Sequence, residues 1–477
     1  MIRVRYTGLL MFASSILSLG TGLVFSSLVA RELAKFDYGV WTFISGTLVY
    51  FQVSQGLITS WAFRDIARGK PVEKTCVVSE LLLSIPPFIA YVIVAPYLSR
   101  IIGSSPTFFY MSSLFIPIYF MVEGLSTVVG ARSPHKLAYR DIILDSIKIF
   151  LILWLIQFGL SGFIATVLIA YCSYICYCLY IAKDFMRSEF DLESLKRWLS
   201  FSWVNLYGDF GSAISSGLSI LFLGILTSPS ALGSWSIALT IARLLKIPST
   251  LSSALYPKLL SEEEKKGAYV EEVTMLILMF LVPMIVGCYL LAPNLIDFFG
   301  SKYSDSLPAL YVLIPSYMCM IITVSDSAIS AADKTDLEEH FSVTMWLRSN
   351  IFLLNSLNYL SVIISAPLML LLISKYGITG CAIATSVTTA IIFLLKNLKF
   401  NVLKSISYRR LVKFLLASFI MSVFVQLIYG RGTVRTFFLV ITGVAVYLIS
   451  LSILDRQTRD LLSKVLNEVT GRVRVEP

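Results

Sequence analysis

Apolar and polar positions do not alternate along this chain; they separate into blocks. Runs of about 20 residues, nearly free of charge, recur from end to end, which is the length a helix needs to cross a hydrocarbon core of about 30 Å. They fall at 8–30, 38–60, 75–98, 106–130, 139–158, 160–182, 200–224, 231–256, 270–292, 306–331, 351–374, 376–396, 408–429 and 432–454. Within a bilayer only helices and closed barrels satisfy their own backbone hydrogen bonds. Long runs without strict alternation exclude the barrel. The pattern therefore predicts an all-α integral membrane protein of about fourteen transmembrane helices. The first run follows Arg3 and Arg5, as a signal peptide would, but it is too long for the apolar stretch of one.

Composition agrees. Of 477 residues, 57% are hydrophobic and 14% charged, whereas a soluble surface takes about 25% charged residues. The mean hydropathy is +0.80. A net charge of +10 raises the question of nucleic acid, and the placement of the cations answers it. With cations at a span's ends counted in the adjoining loop, three of the 39 lie within spans: Lys148, Arg243 and Lys246. With the N-terminus inside, Arg31, Lys35, Arg100, Lys302, Lys375, Arg431 and Arg435 occupy outer loops, and the remaining 29 are cytoplasmic. Such asymmetry predicts a multi-pass protein of the cell membrane with both termini in the cytoplasm, and no nucleic-acid partner. None of the seven cysteines falls in an outer loop, and the cluster of Cys172, Cys176 and Cys178 has no histidine near it, so neither a disulfide framework nor a metal site is expected. No cofactor is implied.

Two pieces of the chain occur twice. Tyr38-Gly39-Val40-Trp41 follows the first span, and Leu232-Gly233-Ser234-Trp235 follows the seventh. Phe158-Gly159-Leu160-Ser161-Gly162 opens the sixth span, and Tyr376-Gly377-Ile378-Thr379-Gly380 opens the twelfth. Together they map spans 1–6 onto spans 7–12 in the same order. Six is even, so the halves share orientation as parallel repeats, an arrangement that encloses a substrate site between two rocking lobes. The expected organisation is a six-helix lobe at 1–182, a cytoplasmic linker at 183–199 with an interfacial character, a second six-helix lobe at 200–400, two additional spans within 401–454, and an amphipathic cytoplasmic tail at 455–477.

Several stretches carry a family resemblance. Arg31-Glu32-Leu33 precedes the first Tyr-Gly-Val-Trp, and Ala254-Leu255-Tyr256-Pro257 closes the eighth span. Phe298-Phe299-Gly300-Ser301-Lys302-Tyr303 leads into Leu313-Ile314-Pro315, and Leu357-Asn358 precedes the Lys375-Tyr376-Gly377 turn. In this series the chain resembles the polysaccharide-export branch of the multidrug/oligosaccharidyl-lipid/polysaccharide flippase superfamily, the Wzx-like O-antigen flippases. The resemblance implies alternating access and the movement of a lipid-linked oligosaccharide, of polyprenyl-diphosphate type, from the inner to the outer leaflet. It also implies a functional link to glycosyltransferases and a polymerase.

Charges within the spans are the candidate chemistry. A charged side chain at the bilayer centre costs roughly 2.5–3.5 kcal/mol, so Arg243 and Lys246 facing lipid would cost on the order of 6 kcal/mol together. Their i, i+3 spacing puts both on one face. Facing a water-filled cavity, they would meet the phosphates of an anionic substrate. The alternative is ion pairing with Glu123, Asp209 or Asp326. Asp141, Asp145 and Lys148 stripe one face of the fifth span, with Asp145 and Lys148 as an intrahelical pair. Arg64 ends the second span, where headgroup docking and ordinary loop charge are both open. Arg31 suits gating. Asp209, one turn after Asn205, is a candidate for a coupling cation or proton, or for hydrogen bonding across a close helix contact beside Gly208 and Gly211.

Two rivals remain. A cation-coupled multidrug antiporter of the sister branch would have twelve spans and an acidic cavity. A membrane-embedded glycosyltransferase or ligase would need catalytic carboxylates on a sizeable outer loop, but the longest, near 293–305, offers only Asp297 and Asp305. His135 and His340 are isolated cytoplasmic residues. No nucleophile or nucleotide motif is present, and the sequence predicts a transporter rather than an enzyme.

Overall fold

The computed structural model describes residues 20–137, 139–254, 266–324, 326 and 343–460. All regular secondary structure among them is helical, as the block pattern predicts. The start of the first span, His340, and the tail beyond 460 lie outside the described residues, as do the side chains of His135 and Asp141.

The elements follow the spans. α1 (20–32), α2 (Lys35–Phe51) and α3 (Thr59–Ala67) cover the first two. α4 (Glu73–Leu83) and α5 (Ile85–Ile102) form the third. α6 (Pro106–Ser113) and α7 (Phe115–Arg132) form the fourth, and α8 (Tyr139–Leu155) and α9 (Gly159–Ala182) the fifth and sixth. α10 (Leu192–Leu226) is the seventh, and α11 (Pro229–Arg243), continued by a 3₁₀ run over Leu244–Ala254, is the eighth. α12 (Lys266–Leu290), the short α13 (Ala292–Phe299) and α14 (Leu307–Ser316) lead to α15 (Asn350–Phe400), α16 (Tyr408–Leu427) and α17 (Thr433–Leu454).

Among the described residues nine helical runs are long and apolar enough to cross a membrane. Two of these, of 41 and 51 residues, are long enough for two crossings. A straight helix of 51 residues, the length of α15, would reach about 77 Å. It is broken at Gly377, where φ is 55° and ψ is −131°. The α8–α9 run breaks at Gly159 with nearly the same dihedrals, φ 61° and ψ −139°. Only glycine adopts this region without strain. The two repeated Gly-x-Ser/Thr-Gly motifs thus perform the same one-residue turn between successive spans.

By contact the chain divides into two units. The first comprises Met1–Ser236 with Asn358–Ile378. Its core lies among α3, α4, α7 and α9, where Ile66, Val77, Leu125 and Tyr174 are buried together with Trp198 from the start of α10. Residues 192–199, the end of the expected linker, form the first turns of α10. Asp191 caps that helix by accepting hydrogen bonds from the Glu193 and Ser194 N–H groups at 3.0 and 3.2 Å. α2 packs on α10 through small residues: Gly217 lies under Tyr50, Gly224 under Phe43 and Gly46 under Ile220. The other repeated motif packs on itself. A Cβ added to Gly39 would stand 1.7 Å from the Pro229 carbonyl oxygen, and one on Gly233 would stand 2.8 Å from that of Lys35. This backbone-to-backbone approach explains why both copies carry glycine.

The second unit comprises Ile237–Leu357 and Thr379–Pro477. α16 packs between α12 and α17. The Tyr447 hydroxyl donates to the Met279 carbonyl at 2.6 Å, and the buried Asn294 amide donates to the Gly430 carbonyl at 2.8 Å. The outer surfaces of α16 and α17 present Phe419, Leu427, Val434 and Ile441. That exposure suits lipid and would be costly in water.

Candidate functional site: paired cations beside an apolar cavity

In the second unit, α11 ends at Arg243 and the chain tightens into the 3₁₀ run that contains Lys246. Side chains at i and i+3 eclipse in a 3₁₀ turn. Both cations are exposed, and among the described residues neither forms a salt bridge. Of the acids considered as partners, Asp326 is engaged elsewhere: the Lys396 ammonium donates to its two oxygens at 2.9 and 2.8 Å.

Leu244 and Leu245, immediately after Arg243, line an open cavity of about 340 Å³ bounded by α12, α13, α16 and α17. Its other walls include Met284, Cys288, Val444 and Tyr447. Gly287 and Gly443 lie in the wall and leave the space open. The lining is almost wholly apolar, so its natural content is hydrocarbon. Arg243 and Lys246 thus flank in sequence the two leucines that line the pocket, without lining it themselves.

The first unit holds the other predicted charges. The Lys148 ammonium lies 3.6 Å from the Asp145 carboxylate, the expected intrahelical pair. The Thr21 hydroxyl donates to Asp145 at 2.8 Å, and Lys148 stands 5.4 Å from the centre of the Tyr171 ring. The Arg64 guanidinium lies 5.1 Å over Trp61. Arg31 is exposed at the end of α1. Asp209 is exposed on α10, while the Asn205 amide donates to the Ser60 hydroxyl at 2.9 Å. Gly211 receives the Tyr359 ring, as a close helix contact requires, and the Tyr359 hydroxyl donates to the Tyr207 carbonyl at 2.7 Å. Of the clustered cysteines, Cys178 is buried and Cys172 and Cys176 are exposed.

Just beyond the second span, Asp65 is a hub. It accepts from Lys70 at 2.8 Å, from Arg197 and from the Trp198 indole N–H at 3.0 Å. Burial pushes its carboxyl up, but the Lys70 and Trp198 hydrogen bonds and the charges of Arg197 and Lys70 outweigh it and hold the group below the usual carboxylate range.

Two features were absent from the sequence-based candidates. Between α2 and α3 the chain leaves the helix over residues 52–58, with Gly56 at φ +85°. Non-helical backbone at membrane depth must be satisfied by protein. The Thr59 hydroxyl donates to the Gly56 carbonyl at 3.2 Å, and the Ser202 hydroxyl to that of Leu57 at 2.8 Å. Beside this break lies Glu80 of α4, fully buried. A carboxylate inside the third span, one turn and a half from its start, is the signal that points to it.

A family model described as "Polysaccharide biosynthesis protein" matches residues 28–308. No curated protein matches. The fold is similar to that of a structure described as the lipid II flippase MurJ, inward closed conformation, with a TM-score of 0.73 over 95% of this chain and 100% of that one, at 16% identity. The eukaryotic MATE transporter AtDTX14 aligns with a TM-score of 0.54 over 84% of this chain and 96% of its own, at 17% identity. A MOP superfamily transporter from Pyrococcus furiosus, described as having a binding pocket of reverse polarity, aligns with a TM-score of 0.51 over 84% of this chain and 96% of its own, at 14% identity.

Proposed function

The chain belongs to the polysaccharide biosynthesis protein family, and on that premise we propose that it is a flippase for a lipid-linked oligosaccharide or polysaccharide precursor. The fold and the family are those of membrane transporters. The observation that carries the substrate class is the adjacency of Arg243 and Lys246 to the apolar cavity entered by Leu244 and Leu245. An anionic headgroup joined to an isoprenoid tail requires this pairing: fixed cations for the diphosphate and a dry pocket for part of the chain. A drug that is only cationic, or only apolar, would use half of it.

In this reading the chain sits in the cell membrane with both termini in the cytoplasm, and 1–182 and 200–400 act as the two transport lobes. The cargo moves from the inner to the outer leaflet and is passed to the glycosyl-transferring or polymerising enzymes that act on it. Lys148 and Arg64 add positive charge along the first lobe. Asp209, Asp145, Asp141, Glu123, Asp326 and Arg31 are the residues assigned to coupling or gating.

The test is flipping in proteoliposomes loaded with a fluorescent polyprenyl-diphosphate sugar, read by its protection from an external quencher. Replacing Arg243 and Lys246 with glutamine should abolish transbilayer exchange while leaving the protein folded. Unchanged exchange would overturn the cation–cavity assignment. The MATE-like fold supports an antiporter as the second reading. Efflux of a cationic dye driven by a sodium or proton gradient, with no movement of the lipid-linked sugar, would establish that instead.

A further inference from the structure

We propose that one side of α10 is a glycan-binding track, on which Asn205, Asp209, Ser212 and Ser216 hold the sugar portion of the cargo. The inference rests on the reading of the cargo as a lipid-linked sugar, and it gives Asp209 a contact with that sugar in place of a coupling role.

Two helix contacts divide the surface of α10 within the first unit. Along one line Gly217 lies under Tyr50 of α2 and Gly224 under Phe43. Along another, Gly211 receives the Tyr359 ring of α15, and the Ser215 and Ser361 hydroxyls meet at 3.0 Å. At about 3.6 residues per turn, two arcs of the helix stay open between these lines. One arc carries Phe210 and Ile225, both exposed. The other carries Asn205, Asp209, Ser212 and Ser216, spaced i, i+4, i+7 and i+11, and the last three are exposed.

The apolar arc suits lipid, and the polar arc does not. A carboxylate turned to hydrocarbon is among the costliest side chains a span can carry. Among the described residues Asp209 has no ion pair or hydrogen bond to offset that cost. Water must therefore reach this arc. The track continues onto α3, where the exposed Ser60 hydroxyl accepts from the Asn205 amide at 2.9 Å. Arg64, also exposed, follows one turn further along α3.

The chemistry of the arc selects its occupant. From Asn205 to Ser216 it runs about 16 Å along the helix, the reach of a short oligosaccharide rather than of a single ion. A metal cation takes several oxygen donors converging on one point, whereas these residues follow one another a turn apart. Among the described residues no three His, Cys, Asp or Glu side chains gather as a metal site. A phosphate would be repelled by Asp209, because the arc holds no cation on α10. Sugar hydroxyls both donate and accept, as do the side chains of Asn and Ser. A carboxylate accepts from hydroxyls in charge-assisted bonds. A row of amide, carboxylate and hydroxyl groups thus complements a neutral, polyhydroxylated chain.

The test uses the full-length protein in proteoliposomes and two probes with the same fluorescent tail: a polyprenyl-diphosphate tetrasaccharide, and the polyprenyl diphosphate without sugar. Asp209→Leu should slow transbilayer movement of the glycosylated probe about tenfold, the factor that one charge-assisted hydrogen bond carries. Asp209→Asn keeps the shape and part of the hydrogen bonding, so it should fold as the wild type does and slow that probe less. The bare carrier should move at the wild-type rate in both variants. Equal slowing of the two probes, or no slowing of the glycosylated one, would overturn the track. A wild type that moves neither probe would bring down the flippase reading, and the track with it. The wetting of the arc is read separately, in a background without the native cysteines. A thiol introduced at position 212 or 216 should react with a water-soluble maleimide much faster than one at position 210, and equal rates would overturn the proposal whatever the cargo.

Discussion

Asp65 joins the C-terminal end of α3 to the first turns of α10, and its replacement separates three contributions. Lys70 and Arg197 are about half exposed, with side chains 44% and 48% accessible. Pairs of that kind contribute about 0.2–1 kcal/mol each. Asp65→Asn loses both ion pairs but still offers a carbonyl oxygen to the Trp198 indole, so it should cost about 1 kcal/mol. Asp65→Ala also strands the indole N–H of a residue only 2% exposed. An orphaned buried donor costs about 1–3 kcal/mol, and the alanine variant should therefore lose about 2–4 kcal/mol.

The measurement is unfolding in detergent followed by tryptophan fluorescence, in a double-mutant cycle with Trp198→Phe. On the phenylalanine background the difference between alanine and asparagine at position 65 should vanish. If asparagine costs as much as alanine on the wild-type background, the indole bond contributes nothing and the reasoning fails. The pH dependence has a definite sign. A carboxyl held below its ordinary value contributes stability that is complete above the unfolded value of about 3.9, and that is lost as pH falls through the folded value. Asp65→Asn should remove this part of the acid sensitivity.

Gly159→Ala and Gly377→Ala should each destabilise by about 1–3 kcal/mol, the cost of forcing a side chain into that backbone region, read as a lower melting temperature. A neutral outcome would mean that the turn relaxes freely. Gly39→Val should reduce the yield of folded protein, while Gly103→Ala, where an added Cβ meets nothing within 4 Å, should cost only the strain of its positive φ; size-exclusion profiles compare the two. Gly287→Phe should fill the apolar cavity and slow flipping of a long-tailed substrate more than that of a short-tailed analogue, and equal slowing would count against a tail site. Cysteine at position 302 should react with impermeant reagent only from outside, and cysteine at position 404 only from inside.

Much of the fold was legible because lipid imposes a simple rule on sequence. The helical spans, the repeat of Gly159 and Gly377 and the cation pair on the eighth span all follow from spacing. What escaped depends on packing between elements. Residues 52–58 fall inside a run long enough to span, and although Gln52, Ser54, Gln55 and Gly56 dilute its apolar character, a few uncharged polar residues do not tell an open turn from a continuing helix. Glu80 counts as one polar residue in a hydrophobic span. That it is sealed against Gly124 is a property of the α4–α7 contact, which no periodicity encodes. The apolar cavity is likewise assembled from four stretches far apart in sequence. The Asp65 network was half visible: the charge at the end of the second span could be read, whereas Arg197 and Trp198 arrive 132 and 133 residues later.

The single-residue turns at Gly159 and Gly377 also bear on biogenesis. A span that ends in a polar loop can enter the membrane by itself and wait for its successor. One joined to the next by a turn this tight has little such pause, because only a few polar residues, Gln157 at the first turn and Ser374 and Lys375 at the second, separate the two apolar stretches. The fifth and sixth spans, and again the eleventh and twelfth, must then be released into lipid as pairs. The ribosome has to finish both before either can settle, so a stop or a polar insertion at these glycines should block membrane integration itself, ahead of any effect on the folded protein.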